Sequence, residues 1–222
     1  MDLLNARFRD RVDAGQALAR HLQHYANRKD VLVLGLPRGG VVTAAEVAAA
    51  LGAPLDVLVI RKLGVPGHEE LAMGAVGPSG VRVINDDIVH DLALMQREID
   101  HVAHLETKEQ QRRESLFRAG RPPLDLRGRT VILVDDGLAT GATMLAAIET
   151  ARKLHAARVV VAVPVAAASS VALVRKHADE VVCVMTGEPF VAVGQWYDEF
   201  AQTPDEGVTS LLSRHFESRL ST

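Results

Sequence analysis

The chain of 222 residues is long enough for one sizeable α/β domain with a hydrophobic core. Its formal charge of −3 at pH 7 argues against a broad electrostatic attraction to nucleic acid or to a membrane surface. A single cysteine, Cys183, excludes an intrachain disulfide, and no apolar run is long enough to cross a bilayer. We therefore expect a cytoplasmic protein with no nucleic-acid or membrane partner.

The first part of the chain predicts a packing helix and then a buried strand. Residues 8–25 carry an apolar stripe at helical spacing. Residues 31–36 (VLVLGL) are typical of a strand that is buried on both faces of a parallel sheet. They lead into the PRGG turn (residues 37–40) and an alanine-rich helix over residues 41–51. A glycine-rich turn with one arginine, Arg38, at a helix N-terminus suits a diphosphate.

A third strand is predicted over residues 56–60, with Arg61 and Lys62 directly after it. Because ligands of open parallel sheets bind outside the carboxyl ends of the strands, we expect these cations to face the same edge as Arg38. Residues 63–80 are rich in glycine and proline, which predicts a mobile loop.

The next segment predicts a long helix over residues 88–116, because apolar residues recur there at steps of three and four. Its second half is charged on most faces, so residues 88–118 are interpreted as a helical insertion. This arm is expected to pack on the core or on a partner chain. Prolines at 122 and 123 end it.

The most informative stretch is residues 131–143, VILVDDGLATGAT. A buried strand is followed at once by the acid pair (Asp135 and Asp136), and then by the phosphate loop (residues 137–143) and a helix. The helix N-terminus and a closely approaching Gly141 suit a phosphate. The acid pair suits a group that donates hydrogen bonds, such as a sugar cis-diol. Together they indicate a ribose 5-phosphate site, and an ordinary strand–turn–helix with capping acids is the alternative.

Further strands are predicted over residues 158–165 and 180–185, with a short helix over residues 166–176 between them. The alternation of strands and helices predicts an α/β fold with an open, mostly parallel sheet and helices on both faces. We expect one domain over residues 1–222. It divides into an N-terminal helix (1–30), a core (31–185) with the helical insertion, and a hood with a C-terminal helix (186–222).

The stretch at residues 131–143 resembles the phosphoribosyl diphosphate (PRPP) binding motif of type I phosphoribosyltransferases, in which a strand and two acids precede a loop ending Thr-Gly-x-Thr. The resemblance covers roughly residues 31–200. It implies transfer of a 5-phosphoribosyl group from PRPP to a nitrogenous, base-like acceptor, with release of diphosphate. It also implies that the acid pair and the phosphate loop bind the ribose and its 5′-phosphate; the loop residues are Gly137, Leu138, Ala139, Thr140, Gly141, Ala142 and Thr143.

The same resemblance implies where the diphosphate binds. Pro37, Arg38 and Gly39 would bind it together with Arg61 and Lys62, and the last two would act in catalysis with the acid pair. Mg²⁺ would be bound mainly through PRPP, and no protein ligand is assigned to it. The loop after the first core strand often holds a non-proline cis peptide in this family, which predicts a cis bond between Pro37 and Arg38.

Four of the chain's few aromatic residues fall within residues 188–200, which we call the hood. It resembles the C-terminal hood of hypoxanthine-guanine phosphoribosyltransferases. That resemblance implies that Phe190 stacks on the acceptor base, that Val191 offers backbone hydrogen bonds and that Asp198 is a nearby acid. Trp196 would belong either to the hood or to the core. An ordinary aromatic core cluster is the alternative.

The acceptor does not follow from the sequence. Purine-salvage members of the family carry an Asp at the position of Ala139, whereas uracil-type members carry Ala, so the general base stays unassigned. Two other interpretations remain open: a PRPP- or nucleotide-sensing regulator, and another reaction on a ribose phosphate, such as hydrolysis or phosphorolysis. Phosphoribosyltransferases are commonly dimers or tetramers, so a homodimer or a higher homo-oligomer is expected.

Overall fold

The computed structural model describes residues 7–220, and it describes their side chains except those of residue 70 and residues 217–220. The strands are β1 (Val31–Gly35), β2 (Leu55–Val57), β3 (Arg61–Val65), β4 (His68–Val76), β5 (Arg82–Ile84), β6 (Thr130–Val134), β7 (Arg158–Ala167) and β8 (Glu180–Gly187). The helices are α1 (Arg11–His21), α2 (Gly39–Leu51), α3 (Asp86–Asp91), α4 (Gln96–Phe117), α5 (Ala142–Lys153), α6 (Ala168–Val174) and α7 (Asp205–Leu220).

A parallel sheet of five strands, in the order β2-β1-β6-β7-β8, forms the centre of the fold. Strands β1, β6 and most of β7 are buried throughout, because helices cover both faces. Apolar residues of α1, α2 and α7 pack on one face, and those of α5 and α6 pack on the other. The predicted fold class, an open parallel sheet with helices on both faces, is confirmed.

A second, antiparallel sheet of strands β3-β4-β5 was not predicted. Residues 63–80, predicted as a loop, instead form most of the β3–β4 hairpin and a short 3₁₀ helix. Leu63, Val65 and Met73 of this hairpin pack against Ile99 and Ala103 of α4, and all five are buried. The hairpin is ordered because α4 gives its apolar side chains a surface on which to pack.

The predicted helix over residues 88–116 is two helices. Asn85 caps α3 by accepting from the N–H of Ile88, and the chain turns at Ala93, whose φ is +48°. Helix α4 then begins at Gln96. The apolar periodicity continues across the break, which is why it predicted one helix. The insertion packs on the β3–β4 hairpin and also contacts α7.

Other boundaries differ by a few residues. Helix α1 begins at Arg11 because Asp10 accepts from the N–H of Asp13 and ends the preceding extended segment. The helix predicted over residues 166–176 is shorter, because β7 continues to Ala167. The third predicted strand ends at Val57, so that Arg61 begins the hairpin. Residues 1–6 and 221–222 of the predicted domain lie outside the described residues.

The amino-terminal segment, residues 7–10 before α1, joins the hood through a parallel bridge between Phe8 and Tyr197. Phe8 donates its N–H to the carbonyl of Trp196 and accepts from the N–H of Asp198, each over 2.9 Å. Among the helices between residues 7 and 220, none is both long and apolar enough to cross a membrane.

Candidate active site

The acid pair lies directly after β6, at the carboxyl edge of the central sheet. The N–H of Asp136 donates to Oδ1 of Asp135 over 2.8 Å, so the two acids share one tight turn. The hydroxyl of Tyr197 donates to the carbonyl of Asp136 over 2.5 Å. Tyr197 is buried, and its burial beside these acids raises the pKa of its hydroxyl, which therefore keeps its proton. The hood thus supports the backbone of the acid pair.

The PRGG turn packs on the acid pair. Its peptide bond between Pro37 and Arg38 is cis, so the prediction for this bond is confirmed. A Cβ added to Gly39 would lie 2.0 Å from Oδ2 of Asp136. One added to Gly40 would lie 2.7 Å from Oδ1 of the other acid. The structure therefore brings the PRGG turn and the acid pair together, at a distance that leaves no space for a side chain at either glycine of the turn.

The phosphate loop is fixed to the end of β7 and to α6. Leu138 donates its N–H to the carbonyl of Val165 over 2.9 Å, and Ser170 donates its hydroxyl to the carbonyl of Ala139 over 2.5 Å. Gly141 has a φ of +82° and forms the N-cap of α5, whose first turn contains no acidic residue. The end of the loop therefore presents unpaired N–H groups and a positive helix terminus, the features that bind a phosphate.

The electrostatics of the acid pair are asymmetric. Protein atoms surround the carboxyl group of Asp135 although part of the residue reaches solvent. This desolvation, and next the charge of Asp136, raises the pKa of Asp135 well above its ordinary value of 3.8. Asp136 instead lies beside a cation, Arg11, which also opposes the rise at Asp135. Arg11 thus opposes the negative charge of the two adjacent carboxyl groups.

Arg11, the first residue of α1, is in contact with three parts of the site. Its Nε donates to Oδ2 of Asp136 over 2.7 Å, and its Nη1 donates to the carbonyl of Ala201 over 2.7 Å. Its guanidinium carbon lies 3.9 Å from the centre of the Phe200 ring. Only 11% of the Arg11 side chain and 15% of the Asp136 side chain are exposed. The pair is therefore largely desolvated and held in one geometry.

The three cations among the five predicted diphosphate-binding residues are placed differently. Nη1 of Arg38 lies 3.6 Å from Oδ1 of Asp205 in α7, and Nε of Arg61 donates to Glu106 of α4 over 2.7 Å. Lys62 is exposed on β3. The turn that contains Arg38 packs on the acid pair, whereas the side chain of Arg61 binds Glu106 of α4. The roles of Arg38, Arg61 and Lys62 in binding diphosphate stay predictions.

Two of the four aromatic side chains of the hood, those of Phe190 and Trp196, are stacked on each other. Their ring centres lie 5.8 Å apart, the ring planes meet at 26°, and Trp196 lines a cavity of about 360 Å³. Val191 is 83% exposed, and its N–H donates to the side chain of Gln195. Asp198 is exposed, and its backbone pairs with the amino-terminal segment. Trp196 also packs against a buried cluster that contains Phe8 and Tyr197, so its assignment to the hood or to the core stays open, and the acceptor contacts of Phe190, Val191 and Asp198 stay predictions.

Comparison with known proteins identifies the family. The sequence profile of the phosphoribosyl transferase domain matches residues 9–198, a range that includes the PRGG turn, the acid pair, the phosphate loop and most of the hood. The chain belongs to this family. The predicted resemblance to type I phosphoribosyltransferases is thereby confirmed.

The relatives support the same assignment. Two strains of Mycobacterium tuberculosis contain proteins, provisionally named phosphoribosyl transferases, that are 52% identical to this chain over 207 residues. The match covers 93% of this chain and 46% of each relative, so the chain spans about half the length of these curated relatives. A crystal structure from Thermus thermophilus has a TM-score of 0.84 and 42% identity, over 94% of this chain and 98% of that one.

Two residues of the candidate site in this phosphoribosyl transferase domain were not predicted from the sequence. Arg11 was interpreted as part of a packing helix, and Tyr197 was not assigned to the acid pair. Tyr197 carries no local signal, because its partner is distant in the chain. Arg11 carries a weak one: a cation in the first turn of a helix opposes the helix dipole, which indicates that another partner holds it.

Proposed function

We propose that this domain transfers a 5-phosphoribosyl group from PRPP to a nitrogenous, base-like acceptor and releases diphosphate, with Mg²⁺ bound mainly through PRPP. One observation carries the proposal: the acid pair lies between the PRGG turn and the phosphate loop. If the acid pair binds the diol and the two turns bind phosphates, their arrangement follows the order in which PRPP presents diphosphate, ribose and 5′-phosphate. An ordinary capped helix would not need the second turn.

The ribose would be held by the acid pair. The carboxyl group of Asp136, which lies beside Arg11, would accept hydrogen bonds from a sugar hydroxyl. As the bond from the anomeric carbon to diphosphate breaks, positive charge builds on the sugar, and a nearby carboxylate stabilises it. The N–H groups at the start of α5 would hold the 5′-phosphate and so fix the sugar relative to the acid pair.

The departing diphosphate would be held by the PRGG turn and by Arg38, with Arg61 and Lys62 completing the set. Arg38 and Arg61 are each paired with a carboxylate, of Asp205 and Glu106 respectively. Binding of diphosphate would therefore exchange these partners for phosphate oxygens.

The donor set fits Mg²⁺, a hard cation that keeps several waters and takes few carboxylates. PRPP would supply the phosphate oxygens, and no side chain of the site is assigned to the ion. When bound, Mg²⁺ would neutralise charge on the diphosphate.

The acceptor would lie beneath the hood, near Phe190 and Val191. The family position beside its reacting nitrogen is Ala139 here, which carries no acid or base, so the acceptor would have to lose its proton to another group. We therefore propose a base-like acceptor without naming one. The homo-oligomeric state stays a prediction, and sedimentation velocity tests it.

The test is calorimetry of PRPP with Mg²⁺ on the wild-type protein and on the double variant Asp135→Asn/Asp136→Asn. A matched control comes from the chain itself, because Asp86 and Asp87 form a second Asp-Asp pair, which is exposed in the first turn of α3. The Asp86→Asn/Asp87→Asn variant should bind PRPP as the wild type does. The site variant should lose binding while its melting temperature shows that it is folded.

Diphosphate release in the presence of base acceptors then separates the remaining interpretations. Release that depends on an acceptor supports transfer. PRPP binding without release for any base tested would favour the sensing regulator. Release of diphosphate without an acceptor would indicate hydrolysis. Failure of the wild-type protein to bind PRPP would overturn the proposal.

A further inference from the structure

We propose that Arg11 is a positioning residue of the donor site, which orients the carboxylate of Asp136 towards the ribose and offsets the charge of the acid pair. The inference rests on the proposed use of PRPP. It concerns a residue of the amino-terminal helix that lies outside the PRGG turn, the acid pair and the phosphate loop.

The first argument is geometric. An arginine at the start of a helix meets the positive end of the helix dipole, so Arg11 needs compensation elsewhere. The compensation is a hydrogen bond of 2.7 Å from Nε to Oδ2 of Asp136, between side chains that are both largely buried. Because Oδ2 is bound to Arg11, the carboxylate plane of Asp136 is fixed.

The second argument concerns how Arg11 itself is held. Its Nη1 donates to the carbonyl of Ala201, and its guanidinium lies over the ring of Phe200. A Cβ on Gly39 would also lie 2.6 Å from Nε of Arg11, so the PRGG turn packs on the ion pair. Helix α1, the PRGG turn, Asp136 and the segment after the hood therefore meet at one guanidinium group.

The third argument is electrostatic. PRPP is polyanionic, and two unopposed carboxylates next to the PRGG turn would repel its diphosphate. Arg11 supplies the opposing charge at a distance of 2.7 Å. The cation also favours the ionised form of the neighbouring Asp135, against the desolvation that raises the pKa of that group. Arg11 thus keeps the site able to accept hydrogen bonds from the sugar and also lowers its repulsion of phosphate.

The test compares three variants. Arg11→Gln keeps a hydrogen-bond donor and removes the charge, Arg11→Lys keeps the charge, and Arg9→Gln removes an exposed neighbouring cation that pairs with Asp10. We expect Arg11→Gln to weaken PRPP binding about tenfold, and Arg11→Lys to recover at least about half of that loss on a logarithmic scale. Arg9→Gln should bind as the wild type does.

The pH dependence of PRPP affinity distinguishes an effect of the Arg11 charge from a purely structural role of Arg11. If Arg11 acts through charge, its loss raises the pKa of Asp135 further, so the acidic limb of PRPP affinity moves to higher pH in Arg11→Gln but not in Arg11→Lys. A lowered melting temperature with an unmoved pH profile would overturn the inference. Unchanged PRPP affinity in Arg11→Gln would do the same. Failure of the wild-type protein to bind PRPP is a separate result, which overturns the proposed function instead.

A double-mutant cycle tests whether Phe200 acts through Arg11. Phe200→Leu removes the ring beneath the guanidinium and keeps an apolar side chain. Both residues are expected to act on Asp136 through one contact. The double variant Arg11→Gln/Phe200→Leu should therefore lose less binding free energy for PRPP than the two single variants lose in sum. Simple additivity would show that Phe200 supports the site by another route.

Discussion

Gly39 and Asp136 leave no space between them for a methyl group, since a Cβ on Gly39 would lie 2.0 Å from Oδ2 of the acid. The carboxylate cannot move aside cheaply, because Arg11 holds that same oxygen. We expect Gly39→Ala to reduce PRPP affinity at least about tenfold. It should also lower the melting temperature by several degrees, because each kcal/mol of lost folding stability lowers it by about 2–4 °C in a protein of this size. Calorimetry and a thermal melt measure the two effects.

Gly207 offers the matched control for that substitution. It lies in α7, and its nearest neighbours would be at least 3.5 Å from an added Cβ. Gly207→Ala should therefore keep PRPP affinity and stabilise the protein by up to about 1 kcal/mol, through helix propensity. Equal losses in both variants would show that contact with the acid pair is not what matters at Gly39.

Asp135→Asn should stabilise the protein at neutral pH. A carboxyl group whose pKa is raised in the folded state binds its proton more tightly there than in the unfolded chain. Its contribution to stability is therefore lost as pH rises above 3.8 towards the folded-state pKa. Asn does not ionise, so the variant does not lose this stability as pH rises. We expect a gain in melting temperature of at least about 2 °C at pH 7, which shrinks towards pH 4.

The control for this pH dependence is Asp86→Asn, at an exposed acid in α3. It should show no comparable gain at pH 7. A gain in Asp135→Asn of equal size at pH 4 and pH 7 would contradict the linkage argument, because it would not depend on ionisation.

Arg118 and Asp56 form an ion pair whose loss should be costly. Two hydrogen bonds of 2.9 and 3.0 Å join them, and their side chains are 7% and 14% exposed. Arg118→Met would leave the carboxylate with the N–H of Val57 as a hydrogen-bond donor and with Arg121 as its nearby cation, at 3.6 Å. We expect a loss of about 3 kcal/mol in the free energy of unfolding, measured with urea. Arg127→Met, at an exposed pair with Asp125, should leave that free energy unchanged.

Cys183 should be nearly inert in the folded protein. Burial raises the pKa of its thiol to about 11, and the thiol donates to the carbonyl of Met185 over 3.0 Å. The thiolate is the reactive form, so alkylation by iodoacetamide at pH 8 should be more than about 100-fold slower than in the unfolded chain. Mass spectrometry in buffer and in denaturant measures the ratio. Comparable rates would place the thiol in solvent.

The sequence predicted the features whose signals are local. The buried strands and the acid pair followed by the phosphate loop each depend on residues that are neighbours in the chain, whereas the cis bond of the PRGG turn was predicted from the resemblance to the family. The fold class followed from the alternation of these elements. Residues 88–116 show where a local signal misleads, because their apolar periodicity continued across the turn at Ala93, a break that only the backbone reveals.

Features that depend on distant partners were not predictable in this way. The contact of Arg11 with Asp136 joins α1 to the end of β6, and no pattern in either segment specifies the other. The β3–β4 hairpin is ordered by α4, although its glycines alone indicated a loop. Arg61 was expected at the sheet edge and instead pairs with Glu106, since the strand before it ends at Val57.

The bridge between Phe8 and Tyr197 has a consequence for folding kinetics. It joins positions near opposite ends of the described chain, so it closes one of the longest loops in the molecule. Contacts of high sequence separation form late, because their loop entropy is lost before other contacts compensate for it. During refolding, helix content should therefore recover first, and affinity for PRPP should return in a slower phase, once the amino-terminal segment has docked on the hood.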